Sequence, residues 1–138
     1  MYDEGCRTFY TGMARGFDII AAESVLLLKK SGKPVRLFCV LPFAEQVNGF
    51  EEPWHTKYAK ITDEADEVIA LSDSYYKGCY SKRNIFMVDN SDYVITWFDG
   101  KKGGTENTLK YAAKKGRYII NLNIGSEEYS GFQYGFNL

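Results

Sequence analysis

Two stretches of this chain place glycines next to small polar and charged residues in a pattern suited to phosphate. They are Thr11-Gly12-Met13-Ala14-Arg15-Gly16-Phe17-Asp18 and Asp99-Gly100-Lys101-Lys102-Gly103-Gly104-Thr105. Each stands between an apolar run of strand type and a run of helical period. Glycine removes the Cβ that would keep an anion away from the backbone, and a helix start offers unbonded N–H groups at the positive end of the helix dipole. Either loop taken alone is equally explained as a tight turn. The first is only loosely of the G-x-G-x-x-G type, since Gly12 and Gly16 are separated by three residues, and neither loop continues into the Gly-Lys-Ser/Thr of a Walker loop.

Other residues able to contribute chemistry surround these loops. Asp18 can charge the first turn of the helix that follows or can contact a ligand, and Glu23, further along, faces either a cleft or water. Pro42-Phe43, Gln46 and Trp54 follow a strand candidate; aromatic faces there can stack on a base, whereas Trp54 also suits a core or lid anchor. In the stretch from Tyr75 to Asn84, Tyr75 can stack and Arg83 can grip a phosphate in bidentate fashion, while Lys77 and Lys82 fit a solvated helix face. His55 is the sole histidine and has no metal-type spacing around it, so no metal and no Ser-His-Asp arrangement is expected. Cys79 lies near a helix start, where a thiol's pKa can fall, but a structural thiol is the simpler role.

The hydrophobic period supplies the elements that position these groups. Residues 6–11 read as a strand, and Phe17, Ile20, Ala21, Ser24, Leu27 and Leu28 recur at helical spacing until Gly32-Lys33-Pro34. Residues 35–41 form a nearly continuous apolar run, as in a strand covered on both faces of a parallel sheet. Residues 44–53 are irregular, a helix is expected over 54–65, a strand over 68–71 and a helix over 78–90. A β-branched and aromatic strand at 93–98, a helix over 106–115 stopped by Gly116, and a strand at 118–122 complete the pattern. Alternating strands and helices make parallel pairing the economical solution. The expectation is therefore an α/β, Rossmann-like three-layer sandwich with a mostly parallel sheet of about five strands, both glycine loops lying at the carboxyl edge. One domain is expected over residues 1–138, with a core at 5–122 and an aromatic tail at 123–138.

Bulk properties agree with a folded, soluble protein. With 138 residues, 45% of them hydrophobic and 16% aromatic, the chain can build a core without disulfide or metal staples. Seventeen basic against eighteen acidic residues give a formal charge of -1, which argues against nucleic acid or an acidic membrane as partner. No apolar run is long enough to span a bilayer, and the opening residues Met1-Tyr2-Asp3-Glu4 lead us to expect no export signal. Three scattered cysteines fit reduced thiols in the cytoplasm.

The order of motifs resembles a known family. Gly12-Met13-Ala14-Arg15-Gly16-Phe17-Asp18 with Ala21-Ala22-Glu23, Pro42-Phe43, Ala65-Asp66, Leu71-Ser72, Gly78-Cys79, Arg83-Asn84, Met87-Val88-Asp89, Ser91-Asp92, Asp99-Gly100 and Gly103-Gly104-Thr105 is similar to the YpsA-like branch of the SLOG superfamily. That superfamily joins Rossmann-like domains related to DprA and to the LOG phosphoribohydrolases. The resemblance covers residues from about 5 to 120. It implies binding of a nucleotide or nucleotide-derived small molecule without a resident cofactor, at ligand-side positions Gly12, Met13, Gly16, Asp18, Arg83, Gly103, Gly104 and Thr105.

Two departures from the family pattern qualify what is expected. YpsA-like proteins normally begin with a further strand and helix; in a 3-2-1-4-5-6 order that strand is central, so its absence should open the sheet and favour pairing with another copy, unless the aromatic tail fills the space. LOG enzymes resemble P-G-G-x-G-T-x-x-E, yet three residues beyond Thr105 this chain has Thr108, and Glu106 is out of register. A binding module is accordingly preferred. The alternatives are nucleotide hydrolysis, either of the LOG N-glycosidic kind or of a phosphate ester, with Asp18, Glu23 or Asp99 as general base, and DprA-like binding of single-stranded DNA.

Overall fold

The computed structural model describes residues 1–123, so the aromatic tail lies almost wholly outside the described residues. Its contacts group Met1–Cys79 and Tyr80–Leu138 into two compact units. All five expected strands and four expected helices are present, and every strand pairing is parallel. The fold is mixed α/β, as the Rossmann-like reading requires, but the strands are divided between a sheet of three and a sheet of two. Period and composition specify strands; which strands become neighbours is decided by contacts distant in sequence.

In the first unit the order is β1 (Thr8–Thr11), α1 (Phe17–Lys30), β2 (Arg36–Leu41), α2 (Trp54–Glu64) and β3 (Glu67–Ala70). β2 is the middle strand, with Thr8 opposite Arg36 on one side and Phe38 opposite Glu67 on the other. Its apolar run is the expected consequence of that position, and Leu37, Cys39, Val40 and Leu41 are all buried. Burial pushes the Cys39 thiol up to about 12, so it is a small core residue with no thiolate chemistry near neutral pH. α1 turns Ile19, Ala22, Val25 and Leu26 inward at helical spacing, where they meet Leu37, Cys39 and Leu41 of β2 and Tyr58 and Ile61 of α2 in one core. The end of α1 is fixed by Gly32, at φ +93: its N–H donates to the Lys29 carbonyl and the Lys33 N–H to that of Leu28, a Schellman stop.

Asp66 fastens this unit from one position. Its carboxylate accepts from Lys29 Nζ at 2.6 Å and from the Leu37 N–H at 2.8 Å, which ties α1 and β2 to the start of β3. These two donors, Lys29 first, hold the carboxyl below its ordinary range. A lowered folded-state pKa stabilises above the unfolded value and is lost as pH falls through the folded one. Asp66→Ala is expected to cost about 1 kcal/mol at pH 7, because the pair is partly exposed and screened. In thermal melts across pH, the gap to wild type should close as the solution is acidified below the ordinary carboxylate range.

The second unit contains α3 (Cys79–Asp89, beginning at the boundary), β4 (Tyr93–Thr96), α4 (Gly104–Lys114) and β5 (Tyr118–Asn121). β4 and β5 pair with Tyr93 opposite Tyr118, and those two rings stack at 5.5 Å. Among the described residues its core is formed by Val88, Phe98, Leu109, Ala112 and Ile119. α4 ends as α1 does, with Gly116 at φ +74 and the Arg117 N–H donating to the Ala112 carbonyl at 2.9 Å. Among the described residues no helix is long and apolar enough to cross a membrane.

Candidate functional site

Each glycine loop follows the carboxyl end of a parallel strand and opens a helix, one in each unit. In the first unit the turn after β1 is held by its own polar groups. Thr11 Oγ1 accepts from the Met13 N–H and donates to the Asp18 carbonyl, both at 3.2 Å, and Asp18 Oδ2 accepts from the Ala14 N–H at 3.2 Å. The Asp18 carboxylate is thus turned back onto its loop, where it also complements the first turn of α1. Met13 adopts φ +60, and its side chain is fully buried in the core beside Ile19. A ligand at this loop would meet Met13 through its backbone. Gly16 caps α1 at φ +87 and ψ -121, a conformation that requires glycine, and no side chain caps the helix there.

Two neighbouring loops are tied to this one. Arg15 forms an ion pair with Glu51 at 2.8 Å and lies 5.5 Å from the Phe50 ring. A backbone N–H of its own residue, and then Arg15, hold the Glu51 carboxyl low. The Ala44 N–H donates to the Ser72 carbonyl at 2.9 Å, and the Phe43 and Tyr75 rings meet edge to face at 5.8 Å. The loops after β1, β2 and β3 therefore form one connected rim. Trp54 packs against the core as an anchor of α2, and His55 is exposed.

In the second unit Gly103 caps α4 at φ +152, again with no side-chain cap, and Gly104 and Thr105 follow, all exposed. Lys101 and Lys102 precede them and are exposed too. A network missed by sequence reasoning reaches this helix start. Arg83, buried on α3, donates from Nε to Asn84 Oδ1 at 2.8 Å; Asn84 Nδ2 donates to Thr108 Oγ1 at 2.9 Å; Thr108 Oγ1 donates to the Gly104 carbonyl at 2.9 Å. Arg83 also lies 5.8 Å from the Tyr80 ring. The structure joins Arg83 to Gly104 through two intermediaries. The adjacent Arg83-Asn84 pair and the Thr108 in helical register with Gly104 were the available signals.

Asn121 is the other residue that pattern reading passed over. At the end of β5 it accepts from the Phe98 N–H and donates to the Phe98 carbonyl, both at 3.0 Å, fixing the chain where it leaves β4 for Asp99 and the glycine loop. A lone amide closing the apolar run 118–120 was its only trace in the sequence. Two of the carboxylates considered as general bases have basic neighbours, Glu23 pairing with Lys57 at 3.0 Å and Asp99 with Lys101 at 3.7 Å. No group of three or more metal-type ligands occurs among the described residues.

Parallel strands linked by helices, with glycine-capped helix starts at their carboxyl ends, define a Rossmann-like α/β architecture. Residues 1–124 match the family model YpsA, described as a SLOG family, and the chain belongs to that family. It is 34% identical over 118 residues to the uncharacterized SPbeta prophage-derived protein YoqJ of Bacillus subtilis strain 168, a match covering 77% of this chain and 69% of that protein. It is 30% identical over 117 residues to a UPF0398 protein of Halalkalibacterium halodurans, covering 83% of this chain and 62% of the relative. The corresponding figures for the UPF0398 protein YpsA of B. subtilis are 26% over 117 residues, 83% and 65%. The chain thus spans roughly two thirds of the length of these relatives. At the level of the family, membership makes it a nucleotide-related domain.

Proposed function

We propose that this chain is a cytoplasmic binding module for a nucleotide or nucleotide-derived small molecule, whose phosphate is received by backbone N–H groups at glycine-capped helix starts. The observation that carries the reading is the start of α4. Gly103 and Gly104 are exposed there, no side chain caps the helix, and Lys101 and Lys102 precede it. The start of α1, capped by Gly16, offers the same chemistry in the first unit. An anion at either place would meet unbonded N–H groups and the positive end of a helix dipole. Gly12, Met13 and Asp18 shape the first cradle; Gly103, Gly104 and Thr105 form the second, braced by Arg83 through Asn84 and Thr108.

Binding is preferred to N-glycosidic cleavage because Thr108, which stands where the LOG pattern has its glutamate, is engaged with Asn84 and Gly104. Near-neutral charge gives no support to a single-stranded DNA partner. A thermal-shift panel of nucleotides, ADP-ribose and inorganic phosphate tests the reading. Ligand at about 100 times its dissociation constant should add about 2.7 kcal/mol of stability. Gly104 has ordinary backbone angles, and nothing lies within 4 Å of a Cβ placed there, so Gly104→Ala and Gly104→Asp should both fold. Alanine should keep the shift and aspartate should abolish it; a shift undiminished in Gly104→Asp would remove the α4 cradle from the account.

A further inference from the structure

The loop after β2 in the first unit carries a buried polar atom to which the described residues offer no donor. Gln46 is only 4% exposed, and its Oε1 is enclosed with no hydrogen-bond donor among the described residues. An enclosed acceptor left without a donor costs about 1–3 kcal/mol. Natural folds rarely retain one without a use. Gln46 sits in the loop after β2, its own N–H donating to the Phe43 carbonyl at 3.2 Å. That loop is fastened on one side to the glycine turn through Arg15 and Glu51, and on the other to the loop after β3 through Ala44 and Ser72. Phe43 and Tyr75 place an aromatic pair on the same rim, with Tyr75 62% exposed.

From this rim we infer that Gln46 reads the base of the bound nucleotide, its amide oxygen accepting from the exocyclic amine of an adenine- or cytosine-type ring. The inference rests on the nucleotide reading above, with the phosphate at the Gly16-capped start of α1 in the same unit, and adds the class of base. A carboxamide is a matched acceptor and donor, and both adenine and cytosine place an amine beside a ring nitrogen that accepts. Here the oxygen is the enclosed atom, so the deeper contact calls for a donor. Hypoxanthine and uracil put a carbonyl in that place and leave two acceptors facing each other. The exposed ring of Tyr75 supplies a surface for stacking. The shallow depression lined by Leu26, Lys29, Lys30 and Glu64 is a poorer candidate, because it lies toward the opposite end of α1 and both lysines are already paired with carboxylates.

Calorimetric titration of the full chain with AMP, IMP, CMP, UMP and ribose 5-phosphate tests the inference, comparing wild type with Gln46→Met. Wild type should bind AMP over IMP, or CMP over UMP, by about tenfold or more, since a site built around one hydrogen bond rejects the analogue lacking it. The methionine variant should lose that preference and bind ribose 5-phosphate as before. Its unliganded melting temperature should equal or exceed that of wild type, because the unpaired acceptor is gone. Equal affinity of wild type for both members of each pair would overturn the role of Gln46 and leave the phosphate reading standing. A preference that survives in Gln46→Met would do the same and assign the buried oxygen to a structural water. No binding of any of the five compounds would overturn both readings.

Discussion

Leu109→Ala is expected to remove about 3 kcal/mol from the second unit. Leu109 is 1% exposed and, among the described residues, clusters with buried Val88 of α3, Phe98, Ala112 of α4 and Ile119 of β5. Truncation removes the transfer energy of the lost methyl groups and leaves a cavity in a close-packed cluster that relaxes only in part. The consequence extends to the site. Leu109 and Ala112 are the buried residues of α4, the helix whose first turn carries Gly104 and Thr105. Chemical denaturation should show a lower midpoint with an unchanged slope, and phosphate-containing ligands should be bound more weakly in proportion to the folded fraction. A loss below about 1 kcal/mol would mean that this cluster is not the core of the unit.

Asn121→Leu should cost about 2 kcal/mol, although leucine is similar in size and more apolar. The buried Phe98 N–H and the Asn123 N–H both lose the side-chain oxygen 3.0 Å away, and the Phe98 carbonyl loses its 3.0 Å donor. A backbone amide stripped of its acceptor in a closed position retains the whole cost of having left water. Asn121→Asp separates the two bonds, because a carboxylate still accepts from the N–H but cannot donate to the carbonyl. It should fall between leucine and wild type near neutral pH. If leucine were as stable as asparagine, the exit from β4 would be held by packing alone, and Asn121 would have no part in placing the glycine loop.

These two residues show where sequence reading succeeds and where it stops. Leu109 and Ala112 repeat at helical spacing, and Gly32 and Gly116 stop their helices by the one conformation that other residues avoid, so such elements are legible from local pattern. The apolar run of β2 announced a strand covered on both sides, and it is the middle strand of its sheet. The division of five strands into sheets of three and two depends on pairings between distant segments, which no local period encodes. The glycine turns were readable because glycine has few reasons to recur at helix starts. The partners of Asn121, Asn84 and Thr108 were not, since an amide or hydroxyl looks the same in a sequence whether it faces water or spans two elements. Gln46 was noticed only for its place after a strand; that its oxygen is enclosed with no donor among the described residues depends on packing, which no local pattern encodes.

The central claim, that backbone N–H groups at a glycine-capped helix start receive a phosphate, is tested most directly by following assigned backbone amide resonances while AMP, and separately adenosine, is titrated into the chain. The account predicts that AMP moves the amides of Gly104, Thr105 and Glu106, or those of Phe17, Asp18 and Ile19, and that adenosine, which lacks the phosphate, leaves them in place. Binding of AMP with both sets unmoved, or identical changes with adenosine, would contradict it.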